Sequence, residues 1–178
     1  SVTLTAKDNI EHAGKLYSGG TLNVQSRTGE IKQSGTMAAA GDVQLTAAGG
    51  IENSGHLLAG SDVNSTLNRE ADLTLSSQGT VRSTGSLLSK KNVALSGKRV
   101  DLSEGQLAAK QATVTAQKEG VGLTKTKIDS QKLHISSTGD IDARQAEIKA
   151  GNWDVNADNL FNQQAVWSQT GSGDNRFT

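Results

Sequence analysis

The chain contains no cysteine and no proline in its 178 residues, and only 3% of them are aromatic. Without thiols there is no disulfide, no thiolate metal centre and no cysteine nucleophile. Without proline every residue keeps its backbone N–H, which suits a ladder in which nearly every donor is needed. Hydrophobic residues make up 34% of the chain, too few for a thick globular core but enough for a narrow one lined by Val, Ile, Leu and Ala. Eighteen basic and eighteen acidic side chains are scattered together and cancel. No basic patch is present to neutralise phosphates, so nucleic acid is not an expected partner. There is no signal peptide and no apolar run approaching membrane-spanning length, so no membrane span is expected. The first residues, Ser1-Val2-Thr3-Leu4, already belong to the repeat described next, and the chain reads as a piece of a longer polypeptide.

What the chain does have is a phrase of about twenty residues that recurs along its length. A first column pair alternates apolar with polar: Val2/Leu4, Leu22/Val24, Val43/Leu45, Leu73/Leu75, Val93/Leu95, Ala112/Val114, Leu133/Ile135, Trp153/Val155. Period-two alternation is the mark of a half-buried strand. A second column, Ile10, Ile31, Ile51, Val81, Val100, Val121, Ile141 and Leu160, is rich in β-branched residues and also favours strand. The third runs Leu16, Met37, Leu57, Leu87, Leu107, Ile128, Ile148, Val166. Two residues after each of these comes a small one: Ser18, Ala39, Ala59, Ser89, Ala109, Ser130, Ala150, Ser168. A stacked corner with neighbours about 4.8 Å apart has little room for bulk.

A repeat this short cannot close its own core, so the copies must stack and shield one another. The expected fold is all-β: a right-handed parallel β-helix of about seven to eight coils, three short strands per coil, about 35 Å long. Glycines 14, 35, 55, 85 and 105 precede the third strand and are expected to supply positive φ in a turn. An outward column, Glu11, Lys32, Glu52, Arg82 and Asp101, alternates in sign and would place opposite charges on neighbouring rungs. About ten surplus residues fall between Leu57 and Leu87, best assigned to a loop at 62–70 thrown out from one corner. The domain reading is one β-helix over 1–168 with this insertion, and an irregular terminus or truncated coil over 169–178.

Candidate chemistry is sparse. His12, His56 and His134 fall in different columns, so they do not form a metal site. Asp140 and Asp142 flank Ile141, with Asp154 and Asp158 on the following coil; such carboxylates can divide acid and base roles on a β-helical polysaccharide-active enzyme. No Lys or Arg cluster accompanies them to hold an acidic sugar, and solvated aspartates are the better reading. Gly120-Val121-Gly122 lacks the third glycine of a dinucleotide fingerprint, and Gly171-Ser172-Gly173 lacks the strand-to-helix setting of a nucleophile elbow. No catalytic, cofactor or metal residue is assigned, and no cofactor is expected. Partner contacts are assigned to Asn68, Arg69 and Glu70 on the inserted loop and to Trp167 as an aromatic able to stack on a sugar ring.

The phrases Ala40-Gly41-Asp42-Val43-Gln44-Leu45-Thr46-Ala47 and Gly50-Ile51-Glu52-Asn53-Ser54-Gly55-His56-Leu57-Leu58-Ala59-Gly60 resemble filamentous haemagglutinin repeats. Copies from Ser1 to about Gln131 match well, and the match loosens from Lys132. The resemblance implies a shaft segment of a large two-partner-secretion exoprotein, of the haemagglutinin adhesin or contact-dependent growth-inhibition kind. It implies secretion to the bacterial cell surface and passage through an outer-membrane transporter. It also implies a role in extending a receptor-binding or toxin region, without enzymatic activity. The alternatives are a segment that itself binds a receptor or glycan on a target cell, or the β-helical enzyme considered above.

Overall fold

Alternation of apolar and polar residues dictates the local structure of each coil. In Leu22–Ser26, Leu22, Val24 and Ser26 are buried while Asn23 and Gln25 face water. One such strand has no stability of its own, but it is paired on both sides: Leu22 lies between Val2 and Val43, and Val24 between Leu4 and Leu45. The computed structural model describes Ser1–Thr178 and carries this arrangement through 22 strands with no helix. Every strand pairing is parallel.

The fold is the expected parallel β-helix. Its second face is a sheet of 8 strands, one per coil, and the first and third faces join into a sheet of 14. The third and first faces merge because Gln106–Ala116, Lys127–Ser137 and Glu147–Asn156 run unbroken around the corner between them. After eight coils, Arg176–Phe177 pairs with Asp154–Val155 and opens a ninth turn, one more than the expected range.

Column by column, the pairings follow the repeat. Val2, Leu22, Val43, Leu73, Val93, Ala112, Leu133 and Trp153 are successive Cα partners on the first face. Ile10 to Leu160 do the same on the second. These rows meet in one continuous core of 37 buried residues, each fully buried Leu, Ile or Val contributing about 1.5–3 kcal/mol relative to exposure. The small corner column is buried from Ser18 to Ala150.

The third column departs from expectation in the last coil. Ile148 pairs with Trp167, not Val166, and Ala150 with Gln169, not Ser168. A slip of one residue turns every side chain to the other face, so Val166 and Ser168 point outward and Trp167 inward. The reason is aromatic packing. Inside, the Trp167 ring sits 5.3 Å from that of Trp153 and 5.0 Å, edge-on, from that of Phe177, a larger apolar contact than Val166 could make.

The glycines before the third strand are needed for a different reason than positive φ. Only Gly14 has it, at +86°. At Gly35, Gly55 and Gly85 a Cβ would lie 2.0, 1.9 and 2.0 Å from the carbonyl oxygen of Gly14, Gly35 and Gly55. Each glycine therefore makes room for the carbonyl of the glycine one coil below.

A polar ladder runs inside the same corner in the first four coils. His12, Gln33, Asn53 and Ser83 are register partners, and the last three are fully buried. Gln33 Nε2 donates to Asn53 Oδ1 (3.2 Å), and Asn53 Nδ2 to Ser83 Oγ (3.1 Å). The same amides also accept from Gly35 N (3.0 Å) and Gly55 N (3.2 Å), so the ladder satisfies turn donors that would otherwise be buried unpaired. From coil five the equivalent positions are Leu102, Leu123 and Ala143, all buried, and from coil six the second-face strands shorten to two residues. Glu104, Lys125, Gln145 and Gln164 then take positive φ at the turn, between 54° and 65°.

Two substitutions separate these roles. Gly55→Ala is expected to destabilise by at least about 2 kcal/mol. Gly19→Ala, with nothing within 4 Å of its Cβ and no positive φ, should stay within about 0.5 kcal/mol of the parent. Equilibrium denaturation followed at the β-sheet circular-dichroism band checks both, and equal costs would contradict the carbonyl-clearance account.

Candidate functional site

The insertion begins where the third strand of coil three ends. Gly60, at φ +81°, turns the chain, and its carbonyl accepts from Asn68 N (2.9 Å) and Arg69 N (3.1 Å), closing the loop. Inside it, Asp62 Oδ1 accepts from Asn64 N (2.9 Å) and Thr66 N (3.0 Å), and Ser61 pairs with Leu67 in the one antiparallel bridge of the molecule. An aspartate at the start of a turn does this by virtue of its short acceptor side chain.

The loop does not project from the corner. It lies back along the third face, where the Tyr17 hydroxyl donates to Ser61 O (3.0 Å) and Lys15 Nζ to Val63 O. Outward-facing Ala38 and Leu58 are consequently buried, at 0% and 3% exposure. The loop is thus a cover for an apolar outer stripe. Its return limb presents Asn68, Arg69 and Glu70, all exposed, in succession. Trp167 lies far from them in the last coil, half-buried in the aromatic cluster, with Nε1 donating to Asn162 Oδ1 (2.8 Å). The four residues assigned to partner contact therefore do not form one surface.

The outward charge column on the second face is in register as read: Glu11 beside Lys32, Lys32 beside Glu52, Glu52 beside Arg82, Arg82 beside Asp101. Only the last of these pairs is in contact, at 3.6 Å. Lys32 leans instead to Glu30 on its own strand, at 3.9 Å. Exposed pairs of this sort contribute little. Asp101 is the better-held member, since Arg99 also approaches it at 3.4 Å. Burial pushes its carboxyl up, but hydrogen bonds from the Ser103 hydroxyl and N–H, with Arg99 and Arg82 alongside, outweigh burial and hold it below the usual carboxylate range.

The Asp140/Asp142 pair is dismantled by its neighbours. Arg144 Nε and Nη2 clasp Asp142 at 2.9 and 2.7 Å, and this hydrogen bonding lowers the Asp142 pKa. A carboxylate so held does not carry a proton near neutrality and is unsuited to be a general acid. Asp140 accepts from Asn159 (3.0 Å), while Asp154 sits on the first face, 3.6 Å from His134. His12 heads the buried amide ladder, its Nδ1 2.7 Å from Gln33 Oε1; since an amide oxygen only accepts, the ring donates. His56 is exposed on the third face.

Column and coil, not a cleft, are thus the units of this molecule, and the class it defines is a repeat β-solenoid. The family model for the haemagglutinin repeat matches residues 1–31, 25–82 and 61–175, and the chain belongs to that family. The resemblance read from the repeat phrases is thereby confirmed and extends past Lys132. The family is a structural one of adhesins, typical of secreted or cell-surface proteins. No curated protein and no solved structure matches the chain.

Two measurements follow from this geometry. Both lowered carboxylates stabilise the fold at pH values above their unfolded pKa of about 4, and that stabilisation is lost as pH falls through their folded values. Asp142→Asn should therefore lower the denaturation midpoint at pH 6 and cost less as pH falls towards 2; an equal deficit at both pH values would contradict the ion-pair account. Tyr17→Phe removes one anchor of the loop, worth about 0.5–1.5 kcal/mol. Hydrogen exchange at the amides of Thr66 and Asn68 should accelerate roughly two- to tenfold, with coils five to eight unaffected.

Proposed function

We propose that the segment is a stiff shaft within a large exoprotein of the bacterial surface. It passes unfolded through an outer-membrane transporter by two-partner secretion and then folds coil on coil. It holds a receptor-binding or toxin region away from the producing cell, as in haemagglutinin adhesins and contact-dependent growth-inhibition effectors. The observation that carries this reading is the unbroken register of equivalent residues on the first two faces through eight coils, which makes length, not a pocket, the quantity that the repeat sets. The absence of cysteine agrees with passage of an unfolded chain.

A second reading has its own observation. The insertion is fastened to the scaffold by Tyr17 and Lys15 and offers Asn68, Arg69 and Glu70 to solvent, an arrangement suited to contact with a receptor or glycan on a target cell.

The two separate cleanly. Gln111 is the register partner of Asn92, so deleting residues 92–110 removes one coil and lets Gln111 take the place of Asn92. In the full exoprotein this deletion should leave folding cooperative and surface activity nearly intact, and further coil deletions should reduce activity gradually. Abrupt loss on removing that coil would refute the shaft. Loss on deleting residues 62–70 at constant coil number would favour the loop as a contact site.

A further inference from the structure

Beyond the insertion the third face lies open over coils five to eight. Two outward columns flank the buried row Leu107, Ile128, Ile148, Trp167: Gln106, Lys127, Glu147, Val166 on one side and Ala108, Asp129, Lys149, Ser168 on the other. Between them runs a shallow groove of about 510 Å³. The charges form a two-by-two checkerboard, Lys127 and Asp129 on one rung, Glu147 and Lys149 on the next. All four are exposed. None takes part in any of the ion pairs of the chain, although opposite charges lie on adjacent rungs. Val166 beside them is 56% exposed.

We infer that this face docks a second copy of the chain. A checkerboard is self-complementary: a two-fold axis lying in the plane of the face sets every charge against one of opposite sign. A stripe of one sign would repel its copy instead. The insertion selects the axis. It occupies the same face over coils one to three, so an axis along the stack would press two insertions together and hold the rods apart. An axis across the stack makes the rods antiparallel, overlaps coils five to eight, and carries each insertion clear of the other copy. Lys127 then meets the second copy's Glu147, and Asp129 meets the second copy's Lys149. Gln106 comes opposite Val166. The patch is small, so the dimer is weak, with a dissociation constant of roughly 0.1–1 mM.

Sedimentation equilibrium of the chain at low salt, up to roughly 1 mM, tests this. The parent should dimerise, and about tenfold more weakly when salt is raised from roughly 0.05 to 0.5 M. Asp129→Lys with Glu147→Lys, and separately Lys127→Glu with Lys149→Glu, should each be monomeric and should form a heterodimer when mixed. Exchanging charges along the stack, Lys127→Glu with Glu147→Lys, should keep the dimer. Exchanging them within the rung, Lys127→Glu with Asp129→Lys, should abolish it. All these positions are exposed, and circular dichroism confirms that each variant retains the parent fold. A monomeric parent, or a dimer that survives in both single-sign variants, overturns the proposal. The reverse result for the two exchanges overturns the antiparallel geometry.

Discussion

Parallel stacking at about 4.8 Å per coil is the constraint from which the rest of the molecule follows. In this geometry each side chain has its own counterpart from the coils above and below as its nearest neighbours. A position must therefore be filled by a residue that tolerates its like at that distance. Branched aliphatics pack on branched aliphatics down three rows. Small residues line the tight corner, and amides hydrogen-bond to amides from Gln33 to Asn53. The glycines at 35, 55 and 85 are the extreme case, because what each must accommodate is the carbonyl of the equivalent glycine one coil earlier.

The same rule explains how the solenoid absorbs irregularity. An insertion between coils leaves the register intact provided that its two ends return to adjacent positions, and here they do. Gly60 O accepts from the amides of Asn68 and Arg69, and Asp72 N donates to Asp42 Oδ1 at 2.8 Å, which places Leu73 beside Val43. The inner corner can change its chemistry as well, provided that it does so as a block. The polar ladder gives way to Leu102, Leu123 and Ala143 together with a new turn in which Glu104, Lys125 and Gln145 take positive φ. A single leucine within the amide ladder would strand the donors of its neighbours.

Much of this was legible in the sequence because columns are a property of spacing. The three apolar rows, the small corner and the register of the alternating charges could be read from one chain. What stayed hidden depends on contacts between coils. His12 and Asn53 look like solvent-facing polar residues, since nothing in a single repeat says that a polar side chain will find its partner one coil away. The glycines signalled a constraint but not its kind: positive φ and carbonyl clearance leave the same residue in the sequence. As an aliphatic, Val166 fits the row better than Trp167 does in the sequence, and only the proximity of Trp153 and Phe177 shows why the tryptophan turns inward. Of the residues assigned to partner contact, the loop triplet follows from the surplus length, and all three are exposed. Trp167 is aromatic and so looks fit to stack on a sugar ring, but its ring is engaged in packing on Trp153 and Phe177.

Inward columns are held by their neighbours, so variation that can serve recognition is left to the outward ones. On the second face the outward column spends its charges on loose or intramolecular pairs, Arg82 with Asp101 and Arg144 with Asp142. On the third face, coils one to three are roofed by the chain's own loop, and the outward charges of coils six and seven pair with nothing in the chain. Opposite charges one rung apart would gain little from each other in water. They gain more where a facing surface excludes solvent and supplies the opposite sign at every position. The distinction between a passive wall and a docking face thus comes down to whether a column's charges are already answered within its own coil stack.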